Sequence, residues 1–162
     1  MITPTILADA YARNVMIIQQ QTAGLSDADS LVQLPFRGNC MNWIVGHIVT
    51  NRHNVFKLLN GVFPAEAARL RRYGRESQPI TGPEEGVLPL AELLALLALA
   101  QTQLAARLEE LTPASLAEPV AFFGNRSMSV AEWLMFFYFH DSYHTGQTEI
   151  LRQAAGKNDK II

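Results

Sequence analysis

From Val130 to Leu151 the apolar residues recur every three or four positions, and two of the chain's four histidines, His140 and His144, fall on the same stripe. Val130, Trp133, Phe137, His140, His144, Gln147 or Thr148, and Leu151 make one face of a helix. The run Ser129-Val-Ala-Glu132 reads as a capping box that starts it, and Gly156 ends it. A long helix whose inner face carries imidazoles must find partners for their nitrogens, because an unpaired polar group in a core costs about 1–3 kcal/mol. The four-residue spacing stacks the two rings one turn apart, so their nitrogens can converge on one ion. Few carboxylates are near in sequence, Asp141 and Glu149 being the main ones, and a metal ion would satisfy both rings at once.

A third histidine, His47 in NWIVGHIV, sits on another apolar stretch. By itself it suits a hydrogen-bonded core residue. Together, three neutral imidazoles from two helices supply three corners of a tetrahedral metal site and leave the fourth for water or substrate, the arrangement of catalytic zinc.

The rest of the chain supplies the helices. The first runs from about Thr5 to Thr22, with Leu7, Tyr11, Val15 and Ile18 in one stripe, Thr3 before Pro4 as its start and Gly24 as its stop. The second begins near Asn39 or Asn42, either able to cap it, and continues through Trp43, His47, Val55 and Leu58 to Asn60 and Gly61. On it Trp43, His47, Thr50 or Asn51, and Asn54 share a side that mixes apolar and polar groups. Pro89 opens the leucine-rich LPLAELLALLALAQTQLAARLEEL, apolar nearly all round between Leu93 and Leu99, which suits a central helix or half of a subunit interface. Between them, residues 63–88 are rich in Gly, Pro, Arg and Glu and read as a long connection with one short helix around Ala65–Arg72. Residues 119–128, with a break at Gly124 and Asn125, read as an extended connection or a small hairpin. The connection 63–88 and the segment around Phe122 to Arg126 are placed to wall a pocket. Four helices joined by two long connections suggest an all-α antiparallel bundle with crossovers, whose interior is where facing helices build cofactor sites.

Size and charge narrow the functions. At 162 residues the chain is most simply one domain, 1–162, able to bury about two-thirds of its unfolded surface. The net charge of −2 and scattered basic residues give nucleic-acid binding no support. The exception is Arg69, Arg71, Arg72 and Arg75, which suit a solvated helix end or loop, or an anion site. The single cysteine, Cys40, cannot form an intramolecular bridge and suits a reducing compartment. The longest uninterrupted apolar run is Leu93–Ala100, and the first residues lack the pattern of a secretory signal. The expectation is a soluble, cytoplasmic protein without a membrane partner.

Two motifs carry a further comparison. NWIVGHIVTNRHN early in the chain, a long loop, and the closing SVAEWLMFFYFHDSYHTGQTEILRQAAG resemble the DinB/YfiT-like family, in which a glycine and histidine on the second helix follow a tryptophan, and H-x-x-x-H then G-Q close the last helix. Here these are Trp43, Gly46, His47, His140, His144, Gly146 and Gln147. The resemblance spans essentially the whole length. It implies an up-up-down-down four-helix bundle, a divalent metal on His47, His140 and His144, and frequent homodimers. Its members include thiol-dependent S-transferases and hydrolases. His53 has no matching role and reads as a surface residue or one behind the ligands.

HDSYH also invites comparison with H-E-x-x-H metalloproteases, with Asp141 in the place of the glutamate base. That side chain is one methylene shorter, and no third ligand follows at the expected spacing. The first functional expectation is therefore a metal-dependent enzyme. Three neutral imidazoles leave the charge of zinc or nickel largely uncompensated, so that a water or a low-molecular-weight thiol is acidified into a nucleophile. Cobalt, iron and manganese fit the same donors. Asp141, Tyr143, Gln147 and Asn51 are candidates for catalytic or orienting groups, and the substrate is a small molecule. The alternatives are a stress-related binding or interaction protein in which the ion pins two helices together, and a metal-free bundle with hydrogen-bonded histidines.

Overall fold

The structure, a computed structural model, describes residues 3–124 and 126–161. Helix α1 (Pro4–Thr22) begins as expected, the Thr3 hydroxyl accepting from the Ile6 amide at 3.3 Å, and the chain leaves it through Gly24 at φ 72°. Leu7, Tyr11, Val15 and Ile18 are its buried stripe. A one-turn helix that the sequence reading lacks, α2 (Asp27–Ser30), follows on a Ser26–Asp29 capping box.

Helix α3 (Met41–Leu58) has Cys40 at its N-cap with no side-chain capping bond, so neither Asn39 nor Asn42 caps it. Asn42 lies inside the helix and is used elsewhere. Its amide donates to the Leu88 carbonyl at 2.9 Å, and its Oδ1 accepts from the Tyr73 hydroxyl at 3.1 Å. The helix stops before Asn60, which takes a left-handed φ of 52°, and the Gly61 amide bonds back to Phe56.

The long connection folds onto α3. Its short helix is a 3-10 segment, Ala67–Tyr73, set about two residues later than the expected span, and Leu70, Tyr73 and Ile80 are buried. Helix α4 (Leu90–Glu109) has Pro89 at its N-cap. Only the stripe Leu90, Leu93, Leu97, Ala100, Leu104 and Leu108 is buried, while Leu99 is 45% exposed, so the helix is not enclosed on all sides. As a 20-residue helix it is long and apolar enough by length and composition to cross a bilayer, which the shorter run Leu93–Ala100 does not suggest. Here its buried stripe packs on α1 and α3.

A second short helix absent from the sequence reading, α5 (Pro113–Ala117), starts on a Thr112–Ser115 capping box. The segment 119–128 is a hairpin, as one of its two readings had it: β1 (Pro119–Ala121) pairs antiparallel with β2 (Ser127–Ser129), Val120 opposite Met128. Asn125 lies outside the described residues. Helix α6 (Val130–Ala154) starts on the expected box: the Ser129 amide donates to Glu132 at 2.7 Å and the Glu132 amide to Ser129 at 3.3 Å.

The described residues are thus mostly helical, with one two-stranded sheet. Among the long helices, α1 and α3 each pack against both α4 and α6. The side chains between them, Tyr11, Ile18, Ile44, Ile48, Leu97, Leu104, Trp133 and Phe137 among others, are at most 2% exposed. At roughly 1.5–3 kcal/mol for each large apolar side chain buried, this contact holds α3 and α6 side by side, and all three candidate ligands lie on those two helices.

Candidate metal centre

His47 on α3 meets His140 and His144 on α6. The three ring centroids are 4.6, 4.9 and 5.0 Å apart, nearly an equilateral triangle, and one nitrogen of each ring lies within 4.8 Å of the others. His47 Nε2 and His140 Nε2 are 3.1 Å apart. A tetrahedral ion 2.0–2.1 Å from each nitrogen needs the nitrogens roughly 3.3–3.4 Å from one another, a spacing the His47–His140 pair already approaches. Among the described residues no other group of His, Cys, Asp or Glu side chains gathers so closely.

The outer nitrogens decide what the inner ones can do. His47 Nδ1 lies 2.8 Å from the Tyr73 carbonyl oxygen, which only accepts, so Nδ1 carries the proton. His144 Nδ1 donates in the same way to Gln147 Oε1 at 2.7 Å. His140 Nδ1 faces a carboxylate oxygen of Asp141 at 3.5 Å. Each ring therefore has an acceptor oxygen near Nδ1, and His47 and His140 turn Nε2 toward each other. The 3.1 Å contact between His47 Nε2 and His140 Nε2 needs a proton or a cation between two lone pairs: a proton on His140 Nε2 would leave its Nδ1 facing the Asp141 carboxylate with no hydrogen between them, whereas a cation lets Nδ1 keep its proton. Acceptors behind every imidazole are the arrangement that fixes tautomer and ring orientation around a metal.

Burial favours the neutral form of two of these rings. It pushes the pKa of His144 down to about 4, against the bond to Gln147, and the neighbouring imidazoles push the same way. It also lowers that of His47, against the bond to Tyr73. Both therefore offer lone pairs at neutral pH.

Gly46 explains how the Tyr73 carbonyl gets there. A methyl group at that position would overlap the Tyr73 ring, so only glycine lets the 3-10 segment lie against α3 beside the next residue, His47. On the other side Trp43 stacks on His47 at 4.5 Å, its indole N–H held by Ser77 Oγ at 2.8 Å. The connection 63–88 thus walls the site as expected. Phe122 and Phe123 instead pack on Trp133 and Phe137, on the part of α6 that precedes the histidines.

A family model for the DinB superfamily matches residues 11–148, which include all three histidines. The chain belongs to the DinB superfamily. No curated protein matches it significantly. In this DinB chain the three residues expected as ligands are the three that converge. Of the other candidates, Gln147 holds His144, while Tyr143 is 60% exposed with its ring edge-on to His144 at 5.2 Å. Asp141 is fully buried and engaged by Arg52 Nε at 2.7 Å and Asn51 Nδ2 at 3.3 Å. His53 stands apart, stacked on Phe63. Arg69 and Arg72 pair with Glu92 and Glu84.

Sequence reasoning missed two contributors, Tyr73 and Arg52. Tyr73 acts through its backbone carbonyl, which no residue type announces. Arg52 is a lone arginine on an apolar helix, and its partner lies 89 positions away.

Proposed function

We propose that this chain is a metal-dependent enzyme built on an up-up-down-down four-helix bundle, with a divalent ion, zinc or nickel, on His47, His140 and His144 and one coordination position open to a small-molecule substrate. The observation that carries this reading is the convergence of the three imidazoles, one nitrogen of each within 4.8 Å of the others and an acceptor oxygen near each Nδ1. With three neutral donors, such an ion supplies acidification of a water or thiol, which makes a nucleophile at neutral pH. That points to hydrolysis or to S-transfer from a low-molecular-weight thiol.

The chain's own residues supply position and access. Tyr73 and Gln147 fix two of the ligand tautomers. His140, 26% exposed at its side chain, leaves the cluster reachable from solvent, and the neighbouring Tyr143 hydroxyl is free to orient a bound substrate. The buried Asp141 suits a role behind His140 better than that of a base meeting substrate.

A second reading, a non-catalytic interaction protein pinned by its metal, draws on the exposed apolar side chains of α6, among them Phe136, Phe139, Tyr143 and Ile150, which would also suit a homodimer contact. Elemental analysis of untagged protein and titration of the His144→Ala variant test the metal. The expectation is about one divalent ion per chain in the parent and none in the variant, with helical circular dichroism retained. Stoichiometric binding by the variant removes the ligand assignment. Displacement of a bound inhibitor by small thiols separates an open position from a closed one.

A further inference from the structure

Directly behind the histidines lies a charge pair that packing alone does not require. Arg52 on α3 and Asp141 on α6 are both completely buried, with Nε 2.7 Å from Oδ2. The pair is held from all four long helices. Tyr11 of α1 stacks its ring 4.4 Å from the guanidinium, Gln101 of α4 accepts from Nη1 at 3.1 Å, and Asn51 of α3 donates to Asp141 Oδ1 at 3.3 Å. That same Oδ1 is the oxygen that faces His140 Nδ1.

Two facts set this pair apart from a stabilising contact. Removing two charges from water costs so much that apolar side chains of similar volume in their place are often neutral or better for stability. Arg52 Nε also approaches Oδ2 off the direction of a good hydrogen bond, and Arg52 Nη2 finds no hydrogen-bond partner among the described residues, so the polar atoms of the pair are only partly satisfied. What it does provide is registry. It links the two ligand-bearing helices five residues after His47 on one and one residue after His140 on the other.

We propose that the Arg52–Asp141 ion pair is the positioning element of the three-histidine cluster: it fixes α3 against α6 and presents Asp141 Oδ1 to His140 Nδ1, so that His140 turns Nε2 toward His47 and His144. Asp141 thereby does for His140 what the Tyr73 carbonyl does for His47 and Gln147 for His144. This rests on reading the cluster as a metal site.

The test replaces the pair with apolar side chains, Arg52→Met together with Asp141→Leu, which leaves no buried charge unpaired. Two quantities are read in the full chain: Zn(II) affinity by competition with a chromophoric chelator, and the protonated nitrogen of His140 by imidazole 15N NMR of the Zn(II)-loaded protein. The expected double variant melts no lower than the metal-free parent, binds Zn(II) roughly 10- to 100-fold more weakly, and loses the uniform Nδ1–H form of His140. A purely structural role would move the melting temperature and leave the tautomer alone. Unchanged affinity and tautomer in a folded double variant overturn the proposal. Should that variant not fold, the parent spectrum still decides: Nδ1–H on His140 supports it and Nε2–H overturns it. A parent that binds no Zn(II) overturns the metal reading itself, and this inference with it.

Discussion

At the scale of single residues, the site depends on atoms that never touch a ligand. Gly46 has room for a hydrogen and no more, because the Tyr73 ring occupies the place of its Cβ. Gly46→Ala is expected to destabilise by about 1–3 kcal/mol, as overpacking does, and to weaken metal binding by moving the carbonyl from His47 Nδ1. Denaturant unfolding and a metal titration of the same variant check both. The partly buried His144 and the buried His47 also impose a pH dependence. The unfolded chain takes up a proton on His144 below its ordinary pKa of 6.5, whereas the folded chain does so only near 4, so the unfolded state binds more protons between those values. The metal-free protein is therefore expected to lose stability as pH falls from 6.5 toward 4, with His47 contributing in the same direction. Melting curves across that range in the presence of chelator should be steeper in pH for the parent than for His144→Gln; equal slopes would count against the buried-neutral assignment. The three converging histidines were legible in the sequence because spacing and an apolar stripe reveal inward-facing imidazoles. Their supports were legible only in part, since Gln147 lies one turn from His144 on the same helix, whereas Tyr73 and Arg52 act across 26 and 89 positions.

Among the secondary elements, those with a local cause were the ones readable from sequence. The Ser129–Glu132 box and the Thr3-Pro4 start are side-chain chemistry within three residues, and both hold. The start of α3 falls between Asn39 and Asn42 as expected, but neither caps it: Asn42 has the right chemistry for a cap and a stronger demand elsewhere, tethering Leu88 and Tyr73. The short helices α2 and α5 carry capping boxes but too few residues to show a period. The apolar surround of α4 suits a central helix or half of a subunit interface, and in the single chain only one stripe of it is covered. On α6 the residue before Gln147 is a helical glycine with nothing within 4 Å of where a Cβ would stand. Gly146→Ala is therefore expected to raise stability by about 0.5–1 kcal/mol, the ordinary cost of glycine inside a helix, with the fold unchanged. A gain in the midpoint of denaturant unfolding checks it, and a loss would mean that another molecule packs against this face of α6 in solution.

For the molecule as a whole, the helices that bring the histidines together are covalently far apart, and the contact between them exists only in the folded chain. His47 and His140 are 93 positions apart, so an ion held by both has no equivalent site in the unfolded ensemble. Binding to the native state alone adds stability by mass action, about 2.7 kcal/mol when the free ion is at 100 times its dissociation constant. For a chain of this size that corresponds to a rise in melting temperature of roughly 5–10 °C. The effect should vanish with excess chelator and return when zinc is restored. It should be absent from His47→Ala, which removes the one ligand α3 supplies while leaving the His140–His144 pair on α6 intact. That contrast separates an ion bridging two helices from one bound along a single helix, because a His140–His144 site would keep most of the shift in the variant. Melting curves of parent and variant with chelator, and with added zinc, give the four temperatures needed. A parent whose melting temperature is indifferent to both additions would leave the histidines as a hydrogen-bonded cluster without metal.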